Sequence, residues 1–278
     1  MRKNSLIDLL LAYGPRPGGN AMYDEFVQGE AHRTGYKPLE IPEHVSSDVV
    51  KLVSGSTSKS VILTGTAGDG KTFTARHAFR DLISSTGKDA AWSDTEIENI
   101  VPASGAHPRI RFIKDLSELP RRDRDALFPD LMAALTRRSP DRFVICVNDG
   151  QLLSFLRERR DVPESATLLK EFSEMLQDGD HVPKGDFCFQ LIHMSRKSHS
   201  ETLDAIFEKI LRHPGWETFS ETVADRKTNP ILINRSILLG DNEQSIPQQR
   251  LKDMVEIAAA DDHHLPLRHL IILVVNAL

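Results

Sequence analysis

Short apolar runs alternate along most of the chain with longer segments whose apolar residues recur at helical spacing. The runs have the length of buried strands and lie at residues 60–64, 110–114, 143–147 and 187–193. Helical spacing surrounds them, at residues 42–52, 71–84, 122–138, 151–160, 165–177, 200–212, 248–260 and 266–277. This alternation predicts an α/β fold in which helices cover both faces of a central, mostly parallel sheet. The apolar segment 231–239 fits either a fifth strand or a short apolar turn.

A glycine-rich loop follows the first predicted strand without a gap and leads directly into a predicted helix. It consists of Gly65, Thr66, Ala67, Gly68, Asp69, Gly70, Lys71 and Thr72. Glycines permit the positive φ angles with which backbone N–H groups wrap a phosphate, and a helix N-terminus adds unpaired N–H groups. In this GxxxxGK[ST] pattern the lysine reaches the β and γ phosphates and the final hydroxyl reaches Mg²⁺, roles that fall to Lys71 and Thr72. The sequence therefore predicts a P-loop that binds a nucleoside triphosphate, ATP with Mg²⁺.

A P-loop site also needs an acidic residue at the end of a neighbouring strand to hold Mg²⁺. Asp149 is our candidate, because it follows the apolar run 143–147 at the edge where open α/β sheets bind ligands. The alternative is that Asn148, Asp149 and Gly150 form only a turn. Most mechanical ATPases of this class place Glu directly after the Asp, whereas Gly150 stands here, and Asn148 can orient a water but is a poor base. We therefore expect hydrolysis to be slow or to depend on assembly.

Another carboxylate follows the predicted strand 110–114 and is a candidate for the missing catalytic group. Glu118 lies just past the end of this strand, with Asp115 three residues before it. Either residue fits a catalytic role, but Asp115 or Ser117 also fits the cap of the following helix. Both interpretations stay open at this point.

Polar residues follow the predicted strand 187–193 as well. His193 or Ser195 is a candidate sensor of the γ-phosphate, and Arg196 is a candidate for stabilising its charge. The competing interpretation is that all three are solvated loop residues. Ser195 is the member of this group that we include among the nucleotide-binding residues.

Composition limits the partners and the location of the protein. The net charge is −5, so DNA binding would require a local basic patch. The arginine cluster 157–160 has acidic neighbours, which favours a solvated helix face. Two cysteines lie in apolar runs and are interpreted as small buried hydrophobes rather than as a disulfide or metal site. This use of cysteine predicts a cytoplasmic protein. The apolar stretch 6–11 is too short and polar for a signal peptide or a membrane span, so we expect no membrane contact.

These patterns divide the chain into three predicted segments. Residues 1–55 are interpreted as an N-terminal extension packed on the core, residues 56–240 as a P-loop NTPase core with a three-layer sandwich, and residues 241–278 as a C-terminal helical lid region. The chain stops inside an apolar, helix-like pattern, whereas natural chains usually finish in a solvated segment. We therefore expect the sequence to be the N-terminal part of a longer protein with a truncated lid.

Several motifs together resemble bacterial AAA+-like P-loop ATPases of anti-phage defence, in particular the ATPase of DNA-phosphorothioation-dependent restriction. They are LTGTAGDGKT at 63–72, IKDLSEL at 113–119, VNDGQL at 147–152, NPILINRSILL at 229–239 and HLPLRHLIILVVNAL at 264–278. The resemblance implies a nucleotide-driven component that acts with other proteins of a defence assembly on DNA, in a possible homo-oligomer. It also implies that Arg268 in the lid contacts the γ-phosphate; as a lone charge in an apolar helix, Arg268 is otherwise a surface residue. Cysteines that the family carries before the "PI..N" segment are replaced here, so no zinc site is carried over.

The residues leave other functions open. A GTPase is disfavoured, because the chain lacks an Asn/Thr-Lys-x-Asp guanine-reading motif after a strand. A small-molecule kinase has the same loop, and the arginines of residues 157–160 are its candidate phosphate lid. A nucleotide-gated interaction module with little turnover is favoured by the glycine after Asp149.

Overall fold

The computed structural model describes residues 5–14, 23–39, 41, 44–87, 89–93, 95–105, 108–179, 182–196, 198–222, 227–240, 246–261 and 263–278. The chain forms two compact units. One unit, here called the sheet unit, is Glu43–Arg196. The other, the helical unit, combines Met1–Pro42 with Lys197–Leu278. These boundaries fall at other positions than those of the three predicted segments.

Five strands form the sheet in the described part of the sheet unit. They are β1 (Ser60–Thr64), β2 (Glu98–Val101), β3 (Ile110–Ile113), β4 (Arg142–Cys146) and β5 (Phe189–His193). Their order is β2-β3-β4-β1-β5. β1 lies parallel to both β4 and β5, β3 is parallel to β4, and only the edge strand β2 is antiparallel to its neighbour. The prediction of a mostly parallel sheet is confirmed, and β2 is the strand that the apolar pattern missed.

Twelve α-helices are found in the described residues. They are α1 (Ser5–Leu11), α2 (Tyr23–Thr34), α3 (His44–Ser54), α4 (Lys71–Thr86), α5 (Arg121–Leu135), α6 (Asp149–Arg157), α7 (Pro163–Asp178), α8 (His199–Leu211), α9 (Gly215–Thr222), α10 (Pro230–Leu239), α11 (Ile246–Ala260) and α12 (Leu267–Asn276). A 3₁₀ turn, Met194–Arg196, follows β5. Among the described residues, no helix combines the length and the apolar character that a membrane crossing needs.

Helices cover both faces of the sheet. Strand side chains alternate between the faces, so Val61 and Leu63 pack in one apolar cluster with residues of α3 and α4. Ile62 packs in the other cluster, with residues of α5, α6 and α7. This arrangement is compatible with the predicted three-layer sandwich. It leaves β1 buried on both faces, with every residue of the strand inside the core.

The segment 231–239 is an α-helix, so its prediction as a strand or an apolar turn is wrong. α10 begins at Pro230, whose fixed φ suits a first helical position, and the preceding Asn229 caps it. The Asn229 side-chain oxygen accepts a hydrogen bond of 3.2 Å from the backbone N–H of Leu232. Runs of three apolar residues at both ends of this segment resemble a buried strand, but the Asn-Pro signal at its start determines the helix.

Both cysteines are buried and free, as the sequence predicts. Cys146 ends β4, and burial raises the pKa of its thiol to about 12. Cys188 directly precedes β5, and its backbone N–H donates to the carbonyl of Leu135. At neutral pH the Cys146 thiol is therefore protonated and acts as a small apolar side chain.

The cap of α10 makes a testable contribution to the helical unit. Replacing Asn229 by Ala removes the acceptor for the Leu232 N–H and should lower the free energy of unfolding of this unit by about 1 kcal/mol. Asn229→Asp retains an acceptor and should cost less. Trp216, buried in the helical unit, reports unfolding selectively in a Trp92→Phe background, because the chain contains only these two tryptophans. Equal stability of all three proteins in urea titrations would contradict the assigned cap.

Candidate functional site

The candidate site lies at one edge of the sheet, where parallel strands β1, β3, β4 and β5 all end. The glycine-rich loop connects β1 to α4 at this edge. Polar residues follow each of the other three strands. The predicted residues that follow these strands meet at this edge because parallel strands all point their carboxyl ends the same way.

The loop has the backbone conformation that its glycines permit. Gly65, Gly68 and Gly70 have φ angles of 135°, 94° and 85°, in the region that disfavours side chains. Gly70 is the N-cap of α4, and no described side chain makes a capping hydrogen bond there. The first N–H groups of a helix have no partner within it, so this helix start offers donors and a positive dipole end to an anion.

Gly65 is also required by close packing. A Cβ atom at this position would lie 2.7 Å from the Ser195 hydroxyl oxygen and 2.8 Å from an Asp69 carboxylate oxygen. Neither distance is tolerated by real Cβ atoms. The first residue of the loop can therefore be only glycine while the loop keeps this shape.

Lys71 points back into the loop. Its ammonium donates to the carbonyl oxygens of Gly65 at 3.0 Å and Thr66 at 2.7 Å, and to Asn148 Oδ1 at 2.9 Å. Three ammonium hydrogens thus meet three acceptors. Burial lowers the pKa of Lys71 below its ordinary value, although nearby acidic groups oppose this, among them the carboxylates of Asp69, Asp115 and Asp149. The loop is consequently closed around a positive charge.

The Asn148 side chain hydrogen-bonds to Lys71 and does not cap the helix that it precedes. It is the N-cap residue of α6, yet its side chain makes no capping hydrogen bond within the described part of the chain. Its carbonyl oxygen instead accepts the bond from Lys71. The end of β4 and the far end of the loop are joined in this way.

The Asp149 carboxylate joins the ends of three strands. One oxygen accepts a hydrogen bond from the Thr64 hydroxyl at the end of β1, and the other accepts from His193 Nε2 at the end of β5, at 2.9 Å. Burial raises the pKa of Asp149, but hydrogen bonds from His193, Thr64 and the backbone N–H of Gly65 outweigh it and bring the pKa below its ordinary value. Asp149 is therefore an ionised acceptor whose two oxygens are both engaged.

Asp69 and Ser195 form a second connection between the loop and β5. Asp69 Oδ2 accepts from the Thr66 backbone N–H at 2.7 Å, from the Thr66 hydroxyl at 3.1 Å and from the Ser195 hydroxyl. The Thr66 N–H also lies 3.1 Å from Ser195 Oγ. Ser195, predicted as a nucleotide-binding residue, contacts the loop itself.

The end of β3 lies beside the first turn of α4. The Thr72 hydroxyl donates to the Lys114 carbonyl oxygen at 3.4 Å, next in sequence to Asp115. One oxygen of Asp115 accepts from the backbone N–H of Ser117 at 2.8 Å and from its hydroxyl, which caps a turn. Glu118 lies in this turn and is exposed. Thr72 and Asp115 therefore belong to one corner of the site.

Arg196 and Arg268 are the remaining predicted residues. The Arg196 guanidinium donates a hydrogen bond to the Leu176 carbonyl oxygen near the end of α7. This contact directs the side chain to α7. Arg268 is in α12 of the helical unit, so its predicted contact with the γ-phosphate stays a prediction. Thr64 is the site residue that we did not predict, and a polar residue at the end of an otherwise apolar strand was its signal.

The lowered pKa of Asp149 predicts how its contribution to stability depends on pH. Asp149→Asn removes the charged acceptor of the strand ends and should destabilise the protein at pH 7. Because the pKa in the folded state is below the ordinary value of about 3.9, the difference from wild type should persist down to about pH 4 and shrink as the pH falls further. Calorimetric unfolding between pH 7 and pH 3 measures this, with exposed Asp81→Asn as the control. A difference that stays constant over this range would refute the assignment.

No family model matches the chain, and neither the curated proteins nor the solved structures include a significant match. The likeness to AAA+-like ATPases of anti-phage defence therefore stays a prediction from motifs. The geometry of the loop and of the strand ends is the basis on which a function can be proposed.

Proposed function

We propose that the chain is a P-loop NTPase that binds ATP with Mg²⁺ at residues 65–72 and hydrolyses it slowly or only with partners. One observation carries this proposal. A loop with three glycines at positive φ leads into the uncapped start of α4, with a lysine ammonium enclosed by the loop. N–H donors, a helix dipole and a positive charge converge there, which is the chemistry that a chain of phosphates needs.

Lys71 is the residue on which phosphate binding depends most. Its present acceptors are neutral oxygens of Gly65, Thr66 and Asn148. A phosphate oxygen is a stronger acceptor, because a hydrogen bond between two charged groups is about twice as strong as a neutral one. An incoming phosphate can therefore take one of the three hydrogens while the others keep the loop closed.

For magnesium the residues favour Thr72 with Asp115. Mg²⁺ binds oxygen ligands, commonly one or two carboxylates together with phosphates, and both hydroxyl and carboxylate oxygens are present at this corner. The sequence predicted Asp149 as the carboxylate. Because both oxygens of Asp149 already accept hydrogen bonds, we propose that Asp149 holds the start of the loop and that Asp115, next to the Lys114 carbonyl that Thr72 contacts, serves the metal.

The described side chains beside Lys71 include no strong base for hydrolysis. Asn148 is suitably placed beside Lys71 to orient a water, but an amide cannot accept its proton. Glu118 is exposed in a turn, and Asp149 is a weak base because its pKa is lowered. Slow or partner-dependent turnover follows from this set of groups.

The strongest alternative is a nucleotide-gated module that binds ATP and scarcely turns it over, and the engaged Asp149 favours it. ATP turnover of the wild type, measured alone and with added DNA, separates this module from an ATPase. Phosphorylation of a small acceptor would identify a kinase instead. For the kinase, Arg159 is a poor lid residue, since its guanidinium stacks on the Phe155 ring at 4.5 Å and pairs with Asp125.

The resemblance in sequence extends the proposal to a biological setting. We propose that the ATPase acts in the cytoplasm with other proteins of an anti-phage defence assembly, on DNA and as a homo-oligomer. The motifs at 63–72 and 147–152 support this part, since both contribute residues to the loop region. Arg268 remains the proposed γ-phosphate contact of the lid.

Binding of ATP should depend on the Lys71 ammonium. Lys71→Ala should weaken ATP binding about ten- to a hundredfold, because it removes a charged hydrogen-bond donor worth about 1.5–3 kcal/mol. Isothermal titration calorimetry measures the Kd, and Lys170→Ala, at a lysine that is 80% exposed, is the matched control. Undiminished affinity in Lys71→Ala would disprove the proposed site.

The metal assignment predicts different effects for two aspartates. Asp115→Asn should reduce the gain in ATP affinity that Mg²⁺ gives over EDTA by roughly tenfold, since a charged ligand is lost. Asp149→Asn should weaken binding equally with and without Mg²⁺, because it loosens the loop. The two Kd values of each variant are compared with those of Asp81→Asn. If only Asp149→Asn abolished the Mg²⁺ effect, the assignment made from the sequence would be right and ours wrong.

A further inference from the structure

An acidic residue inside a phosphate-binding loop is unexpected, because it places a negative charge where anions are to bind. Asp69 is such a residue, and it is only 5% exposed. Burying a carboxylate is costly unless it is paired or hydrogen-bonded. Its presence therefore calls for a structural or functional reason at this site.

The hydrogen bonds of Asp69 connect separate parts of the loop. The carboxylate accepts from the backbone N–H and hydroxyl of Thr66, at the beginning of the loop, and from the hydroxyl of Ser195, after β5. Ser195 Oγ in turn lies within hydrogen-bond distance of the Thr66 N–H. Two loop residues and the distant Ser195 thus form one closed set of hydrogen bonds around Gly65.

Ser195 is itself held in place by the residues on both sides of it. Met194 is buried in the apolar cluster of α3, α4 and the sheet. Arg196 donates to the Leu176 carbonyl, and its Nη1 lies so close to Gly179 that a Cβ there would be 2.7 Å away. The 3₁₀ turn is therefore fixed to the sheet core and to the end of α7, and it gives the loop a rigid anchor.

We propose that Asp69 and Ser195 are positioning residues: together they brace the phosphate loop in the shape that accepts an anion. This inference rests on the proposed function for its purpose. Asp69 acts through the oxygen that accepts from Thr66 and Ser195. Its negative charge is tolerated because three donors and the neighbouring Lys71 compensate it.

The opposite interpretation is that Asp69 is a repelling charge that limits nucleotide affinity. Asparagine distinguishes the two, because it keeps an oxygen that can accept from the Thr66 N–H but has no charge. A brace requires the acceptor, so Asp69→Asn should behave nearly as wild type and Asp69→Ala should not. If Asp69 repels the nucleotide, the loss of its negative charge is what matters. Both variants lose that charge, so both should bind nucleotide more tightly.

The first experiment needs no nucleotide. The exchange rate of the Thr66 amide hydrogen, measured by NMR on the ligand-free protein, should rise about tenfold in Asp69→Ala and several-fold in Ser195→Ala, because the acceptors are lost. It should stay close to wild type in Asp69→Asn. The controls are Asp81→Ala and Ser154→Ala, at exposed positions of α4 and α6. An unchanged exchange rate in Asp69→Ala would refute the brace even if the protein binds ATP.

The second experiment is the affinity for ATP with Mg²⁺ in the same proteins, after thermal unfolding has confirmed that each is folded. Asp69→Ala and Ser195→Ala should weaken binding about fivefold to tenfold, and Asp69→Asn should stay within about twofold of wild type. Tighter binding by Asp69→Ala, or wild-type binding by every variant, would overturn the proposal. If the wild type itself bound no nucleotide, the proposed function would fail, and the amide exchange would still decide the brace.

Discussion

β1 is buried on both faces and flanked by a parallel strand on either side, and the glycine-rich loop of the candidate site begins where it ends. Val61, Ile62 and Leu63 are buried, and burying each of these apolar side chains stabilises the fold by about 1.5–3 kcal/mol. Because Val61 and Leu63 contact one helical layer and Ile62 the other, a shift by one residue would exchange the two sets. The register of β1 is thereby fixed, and with it the position of Thr64 and the start of the loop.

Charge is the second constraint at this edge. Lys71 is surrounded by the carboxylates of Asp69, Asp115 and Asp149, so acidic groups outnumber the lysine that they face. Asp69 and Asp149 each accept hydrogen bonds from donors of the protein, and those around Asp149 hold its pKa below the ordinary value. A triphosphate would add further negative charge. The site that we propose is consequently balanced only when a cation accompanies the phosphates, which agrees with the place given to Mg²⁺ beside Thr72 and Asp115.

Much of the fold could be predicted because its signals are local. β1, β3, β4 and β5 coincide with the apolar runs, and the glycines of the loop indicate its positive φ angles. β2 was missed because Glu98 and Asn99 make up half of this short edge strand. The role of Asp149 needed information that local sequence does not contain. A carboxylate after a strand is visible in the sequence, but only the strand order, with β4 and β5 on either side of β1, shows that Thr64 and His193 occupy its oxygens.

Strand order also bears on why the proposed nucleotide binding does not by itself imply hydrolysis. A catalytic base must hold its proton with a pKa near the working pH, whereas the three donors around Asp149 hold its pKa below the ordinary range. Strengthening Asp149 as a structural acceptor therefore weakens it as a base. Asn148 next to it is neutral, and its oxygen is committed to Lys71. Since the groups nearest to Lys71 are used to keep the loop closed, a proton acceptor or an arginine supplied by another subunit would complete the reaction without disturbing the loop. In the proposed ATPase, an arrangement of this kind would tie turnover to assembly and would leave nucleotide binding to the single chain.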